Sequence, residues 1–222
     1  MMNPVALYVH VPCATFRTSR SREYGKTYRV PPPSTIYGML LSFVGETNSR
    51  RHCGVRLAVA MLSKPQKSRV LRKIRRFTAR PLGNSQNTTV EHQEILTDIK
   101  FIVWVDSSLD GGKLTLVERL TQALAHPSSV NRFGCLYLGE SNDLVNSIRL
   151  AREGHLSQPK QWLVKDNRGH ITLPYWVDHV GSRGTRWQRY SLEELETETP
   201  PDSCWTIIQT ENANSSECLQ NG

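Results

Sequence analysis

The fold class that this sequence predicts is α+β. Three observations support it: four stretches carry the pattern of strands, two carry the spacing of helices, and a long basic excursion separates the second strand from the third. The resulting order is strand, helix, strand, strand, helix, strand. Ferredoxin-like folds have this order, and so do RNA-recognition domains. We therefore expect a ferredoxin-like core.

Apolar alternation and short apolar runs define the four strands: Pro4–Val11, Val55–Leu62, Val90–Val105 and Arg132–Gly139. The first helix follows three consecutive prolines, with Ser34 or Thr35 as its N-cap and Gly45 as its stop. Leucines at helical spacing predict the second helix over Leu114–Ala125, before Pro127.

The chain divides into a core domain and an extension. Residues 1–141 form the predicted ferredoxin-like domain, and its excursion 63–90 lies where that fold has its central hairpin. Residues 142–209 are expected to form a small β-rich C-terminal extension, with strands near 162–164, 171–173 and 205–208. The polar tail, residues 210–222, is expected to be disordered.

Charge is distributed very unevenly along the chain. The first ninety residues contain 16 Lys and Arg but only two acids, Glu23 and Glu46, a net charge of +14. The other 132 residues have a net charge of −6. Local pairing within 47–90, which contains no acid, is not expected to balance this charge, so a polyanion such as nucleic acid is the expected partner. The alternative is a solvated basic face, and charge alone does not distinguish RNA from DNA.

Two further features suit a phosphate backbone. The first is the start of the first helix, where free N–H groups and the hydroxyls of Ser34 and Thr35 would meet a phosphate; an ordinary N-cap is the alternative. The second is the segment from Arg132 to Ser141, whose glycines Gly134 and Gly139 would allow a nucleotide backbone to approach. A tight strand and turn explains that segment equally well.

Other classes of protein are disfavoured. The five cysteines are widely spaced without a C-x-x-C pair, and the seven histidines show no H-x-x-x-H pair, so we expect reduced thiols, no metal and no cofactor. No apolar run approaches the roughly 20 residues of a membrane span, and the N-terminus does not resemble a signal peptide. The expected location is the cytoplasm.

A catalytic constellation is not evident in the sequence. His92, close to the basic excursion, would serve as a general base, and Tyr37 as an acid. A lone His and a lone Tyr more often have structural roles. We therefore expect a protein that is not an enzyme, with a metal-independent endoribonuclease as the alternative.

A long and rare string carries a family resemblance. Residues 14–17 (ATFR), followed by residues 28–40 (YRVPPPSTIYGML), resemble the signature of CRISPR-associated protein family five of the RAMP superfamily. Residues 92–96 and the glycine segment 132–141 are also similar to that family. The resemblance covers roughly residues 5–141, and the C-terminal third adds little to it.

The resemblance implies a function. Members of this family are RNA-binding subunits of the type I Cascade effector, in which a basic β-hairpin, the thumb, projects from the core. It implies that this chain caps the 5′ handle of the CRISPR RNA, contacts the backbone and large subunits, and reaches target DNA through the assembled complex. A third possibility is a general single-stranded RNA-binding module. The residues predicted to bind RNA are Arg17, Arg20, Arg22, Arg29, Ser34, Thr35, Tyr37, Lys64, Lys67, Arg69, Arg72, Lys73, Arg75, Arg76, Arg80, His92 and Arg132.

Overall fold

In a computed structural model, residues 3–18, 24–75, 83–178 and 183–210 are described. The predicted tail, from 211 onward, lies outside them. The described strands are β1 Val5–Ala14, β2 Tyr24–Gly25, β3 Arg56–Met61, β4 Gln66–Arg75, β5 Thr88–Asp106, β6 Ser147–Leu150, β7 Gln161–Lys165, β8 Ile171–Trp176, β9 Arg186–Glu194 and β10 Thr206–Ile207. The described α-helices are α1 Pro33–Phe43, α2 Leu116–Ala125 and α3 Glu153–Leu156.

All of these strands belong to one large sheet, and almost every pairing in it is antiparallel. The order is β6-β1-β5-β3-β7-β9-β8, with β10 added to β3 and with β2 and β4 added to β5. The 19-residue strand β5 is central: its residues 96–105 pair with β1, its residues 101–106 with β3, and its residues 88–97 with β4. The predicted α+β class is confirmed. The predicted domain boundaries stay predictions.

The helices α1 and α2 bury their apolar faces in the main core against one face of the sheet, where Leu7 meets Ile36, Leu40 and Leu120. α2 begins with a capping box, in which Thr115 and Glu118 satisfy each other's backbone N–H groups. α1 ends near Gly45, whose φ of +70° suits glycine. No helix in the described part of the chain is long and apolar enough to cross a membrane.

The N-cap prediction for α1 is wrong. Pro32 occupies the N-cap position, and the helix begins at Pro33. The hydroxyl of Ser34 donates instead to the carbonyl of Pro174 in β8, at 2.9 Å, because the start of α1 packs against that strand. A polar residue in the first turn therefore ties the helix to the sheet.

The predicted fourth strand is also wrong. Residues 132–139 form no strand, since Gly134 and Gly139 have φ values of +77° and +111°, which a strand does not accommodate. The strand that follows α2 is β6, and it pairs with β1 through Leu150 and its neighbours. Residues 136–145 form a loop closed by a single bridge between Tyr137 and Leu144.

A buried charge network ties the end of α1 to the start of α2, and it consists of Glu46, His52, Asp110 and Arg119. Nδ1 of His52 donates to Asp110 at 3.0 Å, and both side chains are fully buried. Arg119 bonds to Glu46 and lies 3.1 Å from Nε2 of His52. Since a guanidinium only donates, Nε2 of His52 is the acceptor in that contact. Acids that are distant in the sequence thus meet cations inside the fold.

Two pKa values in this network are lowered. Burial alone would raise the pKa of Glu46, but hydrogen bonds from the backbone of Asn48 and from Arg119 and Arg51 outweigh it and lower the pKa to about 2. Burial likewise opposes ionisation of Asp110, yet bonds from His52 and from two backbone N–H groups lower its pKa. Both acids are therefore ionised at neutral pH.

Candidate nucleic-acid interface

The basic excursion forms an antiparallel hairpin. Residues 66–75 of β4 pair with residues 97–88 of β5, and the hairpin rests on β2, which pairs with β5 at His92 and Gln93. Side chains that lie opposite each other in an antiparallel pair share a face. One face, here called the open face, carries Arg69, Leu71, Lys73, Val90 and His92, with the buried Glu94 opposite Arg69 at its inner end. The other, here called the latched face, carries Val70, Arg72, Glu91 and Gln93.

Cations on or near the latched face are paired with glutamates. Arg72 lies 3.0 Å from Glu140, and Arg17 lies 2.9 Å from Glu91. The segment 47–90 has no acid of its own, as the sequence shows, but the fold brings acids to it from other parts of the chain. A local count of charge therefore does not find them.

Two more predicted contact residues are paired at the base of the hairpin. Lys67 lies 3.2 Å from Glu94, and Lys64 lies 3.2 Å from Glu194. Glu94 is buried and also accepts from the backbone of Thr27. Burial would raise its pKa, but these hydrogen bonds and the charges of Lys67 and Arg69 lower it. The base of the hairpin is therefore close to neutral.

Positive charge on the open face is not matched in this way. The guanidinium of Arg69 lies 5.7 Å from the ring centroid of Tyr24, and Lys73 is exposed. Among the described residues, no carboxylate lies within 4.0 Å of either cation. This face therefore presents net positive charge to solvent.

Aromatic rings and exposed aliphatic groups accompany these cations. Tyr24 and His92 lie side by side on β2 and β5, with ring centroids 6.4 Å apart and planes 23° apart. His92 is exposed, and Leu71 and Val90 are 62% and 58% exposed. The buried hydroxyl of Tyr24 has no hydrogen-bond partner in the described part of the structure.

The remaining predicted contact residues are scattered. Arg29 and Arg132 are exposed. Arg75 belongs to β4, but its side chain lies outside the described part. Arg20, Arg22, Arg76 and Arg80 lie outside the described residues altogether.

The residues predicted at the start of α1 do not form an open phosphate site. Tyr37 is only 3% exposed, and its hydroxyl donates to the carbonyl of Ser49 at 2.8 Å. The backbone N–H groups of Thr35 and Ile36 both donate to Pro32, and Pro33 has no N–H group. The helix start therefore offers few free donors, and we remove Ser34, Thr35 and Tyr37 from the candidate interface.

Close packing explains why residue 139 is a glycine. A Cβ atom at Gly139 would lie 2.7 Å from the carbonyl oxygen of Thr15 and 2.8 Å from a carboxylate oxygen of Asp143. Asp143 accepts from the backbone N–H groups of Thr15 and Glu140, both at 2.8 Å, and burial raises its pKa. The loop thus locks the end of β1 and holds Glu140 against Arg72.

The sheet face opposite α1 and α2 is closed. RNA-recognition domains stack bases on this face. Here Trp104 stacks on Trp162 at 4.8 Å, Tyr8 stacks on His155 of α3 at 4.3 Å, and residues 202–205 cover the neighbouring strands. Tyr8 is 8% exposed and Trp162 is fully buried, so no base can stack on either ring without displacing these segments.

Metal ligands are absent from the same region. In the described ranges, no group of three or more His, Cys, Asp or Glu side chains is arranged to hold a metal ion. The four described cysteines, Cys13, Cys53, Cys135 and Cys204, are not joined by disulfides.

Comparison with known proteins identifies the family. Residues 5–158 match the family described as "CRISPR-associated protein (Cas_Cas5)". The chain belongs to the Cas5 family. A curated relative, the CRISPR-associated protein Cas5 of Myxococcus xanthus (strain DK1622), is 40% identical over 195 residues, covering 86% of this chain and 91% of the relative. The resemblance stated from the signature string is thereby confirmed.

A solved structure supports the fold. A chain of a structure described as a CRISPR RNA-guided surveillance complex is similar over 91% of this Cas5 chain and 96% of its own length, with a TM-score of 0.59 and 17% sequence identity. At that identity the similarity supports the fold alone. A large antiparallel sheet with few helices is therefore shared with that protein.

Proposed function

We propose that this Cas5 protein is a non-catalytic RNA-binding subunit of a type I CRISPR effector of the Cascade kind. It caps the 5′ handle of the CRISPR RNA and links the backbone subunit to the large subunit, and it meets target DNA only through the assembled complex. The observation that carries the proposal is the open face of the hairpin, which exposes Arg69 and Lys73 without a carboxylate within 4.0 Å in a member of this family. Single-stranded nucleic acid is bound by such combinations of cations and rings.

The sheet order supports a ferredoxin-like core for this subunit. Numbered by position in the β-α-β-β-α-β series, the strands β6-β1-β5-β3 stand in the order fourth, first, third, second. That series accounts for the core, and the β4–β5 hairpin is then its extended central connection, the thumb.

The proposed contacts fall into two groups. Arg29, Arg69, Lys73 and Arg132 are exposed or unmatched by acids, and they bind phosphates directly. Arg17, Lys67 and Arg72 are engaged by largely buried glutamates, so they mainly position the hairpin. Lys64 meets the exposed Glu194, a pair that contributes little to stability. The mechanism is then electrostatic capture of the backbone, supplemented by stacking of bases.

The surroundings of the two candidate catalytic groups favour binding over cleavage. The Tyr37 hydroxyl is bonded within the core to Ser49, and burial raises its pKa far above its ordinary value, with Cys53 and Asp110 adding to the rise. A general acid and a general base must both reach the same scissile phosphate. Tyr37 is bonded to Ser49 in the core, whereas His92 lies beside Tyr24 on the hairpin.

Competition binding tests the handle-capping function. At one stated salt concentration, RNA carrying the 5′ handle of the guide should displace a bound handle probe at least about tenfold better than RNA of scrambled sequence. Equal displacement by both RNAs would favour a general single-stranded RNA-binding module.

Guide maturation in cells tests the non-catalytic assignment. His92→Ala and Tyr37→Phe should leave the amount of mature guide RNA unchanged, and deletion of the separate processing nuclease should abolish it. Maturation that survives the deletion and is lost with His92→Ala would establish the endoribonuclease alternative, since loss of a general base typically reduces the rate about 10²–10⁴-fold.

A further inference from the structure

The two faces of the hairpin differ in chemistry although they share the same two strands. The open face has the buried acid Glu94 opposite Arg69 at its inner end, and from there outward it carries Lys73, exposed Leu71 and Val90, and exposed His92, with no acid in the described positions. The latched face carries Glu91, and its Arg72 is held by Glu140. A hairpin that bound phosphates on both faces would not need this asymmetry.

Exposed aliphatic groups on a solvated hairpin require an explanation. Leu71 lies directly opposite His92, and His92 lies directly opposite Tyr24, so the three side chains form one row across β4, β5 and β2. Val90 lies one row further toward the tip, opposite Lys73. The apolar and aromatic groups of this row suit the flat faces of nucleobases, and the flanking cations suit the anionic phosphates.

We propose that the open face is a platform for unpaired nucleobases, on which bases pack against His92, Leu71 and Val90 while Lys73 and Arg69 hold the flanking phosphates. The inference rests on the proposed RNA-binding function and deepens it. It assigns base contact to one face and a positioning role to the other. The latched face then sets the direction of the hairpin through Arg72 and Glu140.

Neighbouring residues on opposite faces provide matched variants. Leu71→Ala and Val70→Ala each remove an aliphatic side chain, from the open and the latched face respectively. Lys73→Ala removes a cation from the open face and Arg72→Ala removes one from the latched face. His92→Ala and Gln93→Ala likewise remove a planar polar side chain from the open and the latched face. The members of each pair are adjacent in sequence, but Gln93 is buried whereas His92 is exposed, so that pair is compared only if Gln93→Ala melts as wild type does.

The experiment measures binding of the purified full chain to a single-stranded adenosine decamer and to a decamer of abasic ribose phosphates over a range of salt concentrations. Leu71→Ala and His92→Ala should weaken adenosine binding about fivefold or more, as loss of base stacking does, without changing the salt dependence. Neither variant should weaken binding to the abasic decamer. Val70→Ala and Gln93→Ala should bind both decamers as wild type does.

The cations give an independent readout. Lys73→Ala should flatten the slope of log affinity against log salt by about 0.7, the value for one phosphate contact with a single strand, and Arg72→Ala should leave the slope unchanged. Circular dichroism and thermal melting establish that each variant is folded.

Several outcomes would overturn the platform. Equal losses for Leu71→Ala and Val70→Ala, equal slopes for Lys73→Ala and Arg72→Ala, or an equal effect of Leu71→Ala on both decamers would each contradict it. If the open-face variants bind RNA normally but are no longer recovered in the effector complex, the face binds protein instead. These results differ from a failure of the proposed function, in which wild type itself would show no preference for handle RNA.

Discussion

The buried charge network and the open face of the hairpin use positive charge in opposite ways. In the network, Arg119 pairs with Glu46, and Asp110 accepts from His52 and from two backbone N–H groups, so each charged group has a partner inside the fold. On the open face, Lys73 has no carboxylate within 4.0 Å among the described residues, and Arg69 lies over Tyr24 and interacts with Glu94 only beyond ion-pair distance. The difference teaches that the net charge of a segment is a poor guide to binding. The informative quantity is the charge that the fold leaves unmatched.

The largest expected effect comes from breaking the network. Asp110→Ala leaves Nδ1 of His52 and the backbone N–H groups of Gly112 and Leu116 without their acceptor. Each buried donor left unsatisfied costs about 1–3 kcal/mol, so the free energy of unfolding should fall by roughly 3 kcal/mol or more in a denaturant titration. The exposed acid Glu196 provides the control, and Glu196→Ala should lie within about 0.5 kcal/mol of wild type. Equal stability of the two variants would mean that the network contributes nothing.

Acid should weaken the same network to a smaller extent. Because the pKa of Glu46 falls from 4.5 in the unfolded chain to about 2 in the fold, the folded state binds fewer protons. The ionised Glu46 side chain therefore contributes roughly 1–3 kcal/mol to the free energy of unfolding. This contribution is fully present above pH 4.5 and is lost as the pH falls toward 2. Unfolding titrations at pH 6 and pH 3 should show this loss in wild type and a smaller loss in Glu46→Gln. An identical loss in both proteins would contradict the assignment.

On the open face the opposite result is expected: substitutions should lower RNA affinity and leave the free energy of unfolding almost unchanged. The double variant Arg69→Ala, Lys73→Ala should lower affinity for handle RNA about tenfold at low salt, because two phosphate contacts disappear. Its free energy of unfolding should stay within about 0.5 kcal/mol of wild type, as for most surface substitutions. A large fall in the free energy of unfolding would show instead that these two cations stabilise the fold.

The smallest effect is expected at the exposed pair of Lys64 and Glu194, which are 76% and 67% exposed. Water and salt screen such a pair, and ordering two mobile side chains offsets the attraction. Lys64→Ala should therefore leave the thermal midpoint unchanged within error. A clear drop in the midpoint would mean that this pair anchors the hairpin to β9.

Much of the core was predictable from local pattern. The alternation of Val5 to Val11 and the spacing of Leu116, Leu120 and Leu124 have direct counterparts in β1 and α2, because burial of one face imposes those periods. The hairpin was predictable from the position of the basic excursion. The glutamates that neutralise part of it were not, since Glu140 and Glu194 lie far along the chain.

The errors share one physical cause. Ser34 resembles an N-cap, and Gly139 resembles a site where a nucleotide approaches, yet each is used in a contact with a distant backbone, at Pro174 and at Thr15. Strand β9 was missed because its residues are mostly half-exposed and polar. Tertiary contacts decide such positions, and no local pattern records them.

The length of β5 has a mechanical consequence. One strand runs from the hairpin into the middle of the sheet, and the change of partner from β4 to β3 occurs around Asp98, a non-glycine residue at φ +57°. The ten residue-to-residue steps from Asp98 to Thr88 make a lever arm about 33 Å long, at about 3.3 Å per step. A rotation of ~10° at its fulcrum would move the far end by ~6 Å on that arm. Ser63, Lys100 and His10 all contact Asp98, so the direction of the hairpin is set by contacts well away from its far end.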